Sequence, residues 1–294
     1  MRPLWTLATA AVTLVLGGCG GGDGQGGAPT VPDNASWTTI ADVDGASLSR
    51  LGLSDGTKAY LQRIDLHRVA IEQVIGDRDP GATIEAGRYF PSGTSPRFVR
   101  IPPSRAHETC RAGLFSVVNF AFFEEYEPST RLSFPVRSHG ALLTAGSSPY
   151  GPIDQPSDAH YRTVTLQAFT WNGSGAAIGP YDPQHGTPLD ASPDGLVTYA
   201  YRDHPSYVLD RDPPNRYQLL GLVDGQHLLG LTVEHARLET AADLLRAQGA
   251  VGEILALDGG PSTYLWQATL GELVPITNRE GTLPHYLCLR AGGG

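Results

Sequence analysis

The chain has 294 residues, 40% of them hydrophobic and 17% charged, an ordinary balance for a globular chain and enough for one large core or two small ones. A formal net charge of −9 argues against nucleic acid as a partner, because grip on a phosphate backbone rests on a surplus of Lys and Arg. The sequence carries no Cys-x-x-Cys pair, no His-Glu-x-x-His and no regular acidic calcium loop, so no motif has metal-ligand spacing.

Arg2, a mostly apolar run from Leu4 to Leu16, and Gly17-Gly18-Cys19 read as an export signal whose apolar core is too short for a comfortable membrane span. Leu16-Gly17-Gly18-Cys19 resembles a bacterial lipobox, which implies cleavage before Cys19 and a lipid on that residue. Residues 1–18 are therefore read as a lipoprotein signal peptide, 19–40 as a Gly-rich tether, and 41–294 as the working domain. Gly20 is not acidic, so the resemblance favours the outer membrane, with the protein on the periplasmic side of the cell envelope. No second apolar span follows, and the lipid is the expected link to the membrane.

Tyr60–Leu66 and Val69–Val74 alternate well enough to predict two strands, paired as a hairpin or a sheet edge. Leu114–Phe123, Ala141–Leu143, Val164–Phe169, Tyr217–Val223 and His227–Val233 continue the series, with Val223-Asp224-Gly225-Gln226 as a hairpin turn. Ser147–Gly195 is rich in Pro, Gly, Ser, Asp and His and reads as surface loops, in which Trp171 and Tyr181 are either sugar-stacking platforms or loop anchors. Cys110 and Cys288 either bridge, which would stabilise by ~4–5 kcal/mol in the chain-entropy model, or stay as buried thiols. Predicted helices are few and late. The expected fold class is α+β, a single sheet-dominated mixed domain with few, mostly C-terminal helices.

The last such helix runs from Leu238 to Gln248, with Thr240-Ala241-Ala242-Asp243 fitting a capping box and Gly249 ending it. Ile254-Leu255-Ala256-Leu257 then reads as a strand buried on both faces. It delivers Asp258 into the turn Gly259-Gly260-Pro261-Ser262, where the glycines permit positive φ and close approach of a substrate to the backbone. An acid at a strand end beside two glycines is a ligand or a catalyst.

Asp258-Gly259-Gly260-Pro261-Ser262, with its preceding strand and Gly-ended helix, resembles the phosphodiester glycosidase domain family. Val117 to Phe123, Asn215 to Gly221, and Arg279 through Leu283-Pro284 resemble three further blocks of that family in the expected order, and the match spans residues ~60 to 290. Phe120 stands where the family has a small residue, and Glu280-Gly281-Thr282 lengthen the last block.

The resemblance implies a hydrolase of sugar-1-phosphodiester or related α-glycosidic bonds, with a carbohydrate or sugar-phosphate as substrate. Asp258, Asn119 and Arg216 form the implied catalytic set, Asp258 acting as base or nucleophile. Gly259, Gly260, Ser262, Arg279, Glu234 and His285 are the implied substrate-binding residues, with Arg216 and Arg279 matched to phosphate and Glu234 to a second acid. No cofactor is required on this reading, and a divalent cation held by scattered oxygens has no motif to support it. The alternative is a non-catalytic glycan-binding or envelope-structuring lipoprotein on the same fold.

Overall fold

The computed structural model describes residues 28–80, 85–86, 92–124, 127–147, 164–208 and 214–292. Residues 1–27, which hold the segment read as a signal peptide, Cys19 and the first part of the tract read as a tether, lie outside the described residues, as do residues 148–163 of the segment read as surface loops. The folded body is already engaged at Thr30, whose backbone exchanges hydrogen bonds with Ser54, and its first strand begins at Thr38.

The large sheet runs, from one edge, Thr38–Val43, Ala46–Gly52, Lys58–Asp65, His227–Ala236, Asn215–Leu222, Val251–Ala256, Asp194–Ala200, Pro135–Ser138 and Ala141–Ala145. A hairpin, Gln167–Asn172 with Gly175–Pro180, branches from Asp194–Ala200. The small sheet runs Gly271–Val274, Leu265–Gln267, Leu114–Asn119, His285–Ala291 and Val69–Ile75. Every strand pairing in both sheets is antiparallel.

Alternation along the strands explains how the sheets stack. Tyr60, Ile64, Leu220, Leu222, Leu228 and Leu255 turn one face of the large sheet into a core shared with Val118, Leu287 and Leu289 of the small sheet. Ala59, Leu61, Leu219, Leu229, Leu231, Val233 and Ile254 line the opposite face, where the helix Leu238–Ala247 lays Leu238, Ala241, Leu244 and Leu245 on them. Both faces are therefore dry, and the central strands read as continuous apolar runs although the sheet is antiparallel. Two pairs of buried polar groups meet within this sandwich: Ser116 Oγ donates to Gln62 Oε1 across the two sheets, and Thr232 Oγ1 donates to Gln218 Oε1 at 2.6 Å.

Several expectations are corrected. The fold is mostly β, not α+β, because the apolar runs cover one another as antiparallel sheets and only one face needs a helix. The helices Pro103–Thr109 and Pro205–Val208 are short, and neither is C-terminal. Lys58–Asp65 and Val69–Ile75 do not form a hairpin; the chain crosses there from the large sheet to the small one. Thr240-x-x-Asp243 caps nothing, since the helix starts at Leu238 with Arg237 at its N-cap and no side-chain cap bond. Trp171 and Tyr181 are buried core residues within the hairpin region, not exposed platforms.

Ser116→Ala should cost about 1–3 kcal/mol by leaving the Gln62 carboxamide without its partner in a dry layer. Denaturant titration of Ser116→Ala, Gln62→Leu and the double variant should find the double less destabilised than the sum of the singles.

Candidate active site

Asp258 stands where the strand Val251–Ala256 leaves the large sheet. Leu257 N–H still donates to Gln218 O at 2.9 Å, but Asp258 N–H donates to Phe120 O at 3.1 Å, just beyond the small-sheet strand Leu114–Asn119. The segment from Asp258 to Tyr264 thus bridges the sheets and feeds Leu265–Gln267, which pairs with Leu114–Asn119.

Asn119 fixes that bridge at both ends. Its Nδ2 donates to Asp258 O and its Oδ1 accepts from Tyr264 N–H at 2.9 Å, while the residue is only 1% exposed. This side chain, placed by the resemblance in the implied catalytic set, is engaged with the main chain on either side of the Gly-Gly turn.

The two glycines have different reasons. Gly260 has φ +58°, the left-handed region in which a side chain is strained. Gly259 is extended, and a Cβ there would lie 3.0 Å from Arg216 O, so its bareness admits the protein's own neighbouring strand. Gly260–Ser262 then forms one turn of 3-10 helix.

Asp258 is 6% exposed, and burial pushes its carboxyl up to about 7. The Ser262 hydroxyl, the Gly259 N–H bonded to Oδ1 at 3.0 Å, and the charge of Arg100 oppose the shift without cancelling it. Ser262 Oγ faces the carboxylate without a well-directed hydrogen bond to it.

Arg100 carries no motif and was not legible in the sequence. Its side chain is 1% exposed, donates to Thr282 O at 2.8 Å and Glu127 O at 3.4 Å, and approaches Glu280 at 3.5 Å. Its guanidinium lies over the Phe123 ring at 5.5 Å.

The other sequence-derived residues are distributed around this bridge. Half-buried Arg216 ties its outer side, donating to Thr263 O at 3.3 Å, Pro275 O at 2.5 Å and Thr277 Oγ1 at 2.9 Å; burial lowers its pKa, against the pull of Glu234 and Glu272. Glu234 accepts from Lys58 N–H at 2.9 Å and from Tyr60 O–H at 3.4 Å, on the strand His227–Ala236, which Asn215–Leu222 separates from the strand leading to Asp258. Exposed Arg279 lines an open depression of about 500 Å³ with Pro261, Thr277, Asn278 and Glu280. A similar depression of about 520 Å³ lies between the hairpin ends around Asp42, Arg63 and Asp224, and no residue of the Asp258 bridge lines it.

His285 is buried beside Phe120, 5.1 Å between ring centroids, with neither ring nitrogen hydrogen-bonded among the described residues; burial lowers its pKa to about 3 and keeps it neutral. Phe120 in turn meets Phe169 and Trp171 edge-on, so the residue that departs from the family pattern fills the layer between the sheets. Cys110 and Cys288 form a disulfide, Cα atoms 6.4 Å apart. Among the described residues no group of three or more His, Cys, Asp or Glu side chains is arranged to hold a metal.

Other solved structures superpose on this fold. A hypothetical protein from Synechocystis superposes with a TM-score of 0.51 at 14% identity over 88% of this chain, which spans just 64% of that protein. The catalytic domain of zebrafish N-acetylglucosamine-1-phosphodiester alpha-N-acetylglucosaminidase, held auto-inhibited by its pro-peptide, superposes with a TM-score of 0.52 at 11% identity, covering 90% of this chain and 87% of that one. At such identities the likeness establishes a shared fold and nothing finer. No protein-family model and no curated protein matches the chain.

Because Asp258 binds its proton more tightly folded than unfolded, its ionisation should destabilise the fold progressively as pH rises from about 4 to about 7, by an amount of order 4 kcal/mol once complete. Asp258→Asn removes that penalty. Denaturant titrations should find the variant more stable than the parent at pH 8 and close to it at pH 4.

Proposed function

We propose that the protein is a hydrolase of sugar-1-phosphodiester or related α-glycosidic bonds, with Asp258 as its working carboxylate. The observation that carries this reading is the buried acid itself, held at a bridge between two sheets and poised near neutrality. A carboxyl titrating near 7 can exchange a proton with substrate at physiological pH, as an acid or base on a sugar oxygen requires.

The surroundings support it. Glycoside cleavage normally calls for two carboxylates, yet a phosphate departs as a weak base and asks less of a general acid. Arg100, within electrostatic reach of Asp258, and Arg279 on the depression beside Pro261 supply positive charge for such a leaving group. The fold shared with a phosphodiester glycosidase domain agrees with this reading. Asn119 and Arg216 act here by holding the bridge, since both are bonded to its backbone.

The same reading makes the protein an exported lipoprotein, attached through Cys19 on the periplasmic side of the outer membrane and acting on envelope or extracellular glycans. The lipobox-like Leu16-Gly17-Gly18-Cys19 supports that location. A glycan-binding protein on the same fold is the second reading, favoured by the low exposure of Asp258 and by Phe120 filling the layer behind it.

A release assay on sugar-1-phosphodiesters and matched neutral α-glycosides separates these readings. Asp258→Asn should lower turnover by about 10²-fold or more while the fold persists. Glycan binding without turnover, unchanged in Asp258→Asn, would replace the hydrolase with the binding protein. Cys19→Ser should move the chain from the membrane to the soluble fraction; retention after a salt wash would overturn the lipid anchor.

A further inference from the structure

The outer face of the small sheet carries a short helix, Pro103–Thr109, that sequence reasoning did not anticipate. It is pinned at both ends. Before it, Ile101 exchanges backbone hydrogen bonds with Leu283 and accepts from Tyr286 O–H at 3.0 Å. After it, Cys110 is bonded to Cys288 in the middle of the strand His285–Ala291, and Ala106 beneath it is fully buried.

One side chain of this helix reaches the bridge that carries Asp258. His107 Nε2 lies 3.0 Å from Tyr264 Oη, and its ring stacks on Trp266 at 4.2 Å between centroids. These two residues flank Leu265, where the bridge enters the small sheet. Tyr264 is the residue whose N–H is held by Asn119, and Asn119 holds Asp258 O in turn. A continuous series of contacts therefore runs from the disulfide through the helix, His107, Tyr264 and Asn119 to the backbone of Asp258.

We propose that His107, on the disulfide-anchored helix, is a positioning residue that sets the Asp258–Tyr264 bridge in its working geometry. A Gly-Gly turn has little stiffness of its own, and glycine loses the most conformational freedom when ordered, so the bridge depends on its flanks being fixed. Asn119 fixes it from within. His107 fixes its exit from a second element, and the disulfide prevents that element from swinging away. The inference deepens the reading of Asp258 as the working acid, and its consequence for turnover rests on that reading.

The test is hydrogen exchange of peptides spanning residues 258–266, 103–110 and 227–236 in the full chain, for His107→Ala, for His107→Gln, which keeps a side chain able to bond Tyr264, and for Glu108→Ala on the exposed side of the same helix. His107→Ala should speed exchange of 258–266 by roughly tenfold and leave 227–236 unchanged, with His107→Gln close to the parent and Glu108→Ala without effect. Reducing the disulfide under native conditions should speed 103–110 and 258–266 together. Unaltered exchange of 258–266 in His107→Ala, or equal acceleration of all three segments, would overturn the proposal.

Turnover of a sugar-1-phosphodiester keeps the two ideas apart. With an active parent, His107→Ala should lower kcat about tenfold at constant KM, and His107→Gln should restore it. If the parent hydrolyses nothing while His107→Ala still loosens 258–266, the positioning role stands and the hydrolase reading falls. If Asp258→Asn abolishes turnover while His107→Ala changes neither kcat nor exchange, the hydrolase reading stands and the positioning role falls.

Discussion

A carboxamide cut off from water must find all its partners inside the protein. Asn119, at the end of a small-sheet strand, meets this demand by bonding the carbonyl of Asp258 and the amide of Tyr264, residues six positions apart on the connection between sheets. Two strands that never pair directly are thereby held in register at their ends. The position of the acid, the path of the Gly-Gly turn and the entry of Leu265–Gln267 into the small sheet all follow from that one side chain.

Layering makes the acid unusual. The small sheet covers one face of the large sheet and a helix covers the other, so a carboxylate at the end of a central strand stands in a dry environment and resists ionisation. Arg100 and Arg216 approach the same region while anchored to backbone carbonyls. Their positive charge is directed by the main chain, which fixes it in place more firmly than mobile surface carboxylates would. The arrangement costs stability, as functional sites often do, and the extensive apolar contact between the layers offsets it.

Asp258-Gly259-Gly260-Pro261-Ser262 was legible because each residue type there answers a local need that composition exposes: an apolar strand, an acid, two bare positions and a rigid exit. The hairpin turn at Asp224-Gly225 was legible for the same reason, and the structure places it between paired strands. What local patterning cannot express is which sheet a strand joins. Two alternating segments separated by His67-Arg68 look like a hairpin, yet Asp65 pairs with His227 and Val69 with Ala291. Likewise the polar composition between Ser147 and Gly195 concealed a hairpin whose Trp171 is packed against Phe120, and Arg100 and His107 bond Thr282 and Tyr264, residues more than 150 positions away.

The strand His285–Ala291 is the latest of the described strands in sequence, yet it lies inside the small sheet, between Leu114–Asn119 and Val69–Ile75. Its neighbours have no contact in the sheet until it arrives. During synthesis the earlier segments can collapse and the large sheet can begin to assemble, but the small sheet and the covalent anchor of the helix on its outer face wait for residues 285–291. Such an order of assembly rests on distant contacts and is intrinsically slow. It keeps the acid's surroundings unformed until that strand is threaded, so a chain cut before residue 285 would yield an incomplete sandwich with two open sheet edges, a form prone to self-association rather than a smaller working protein.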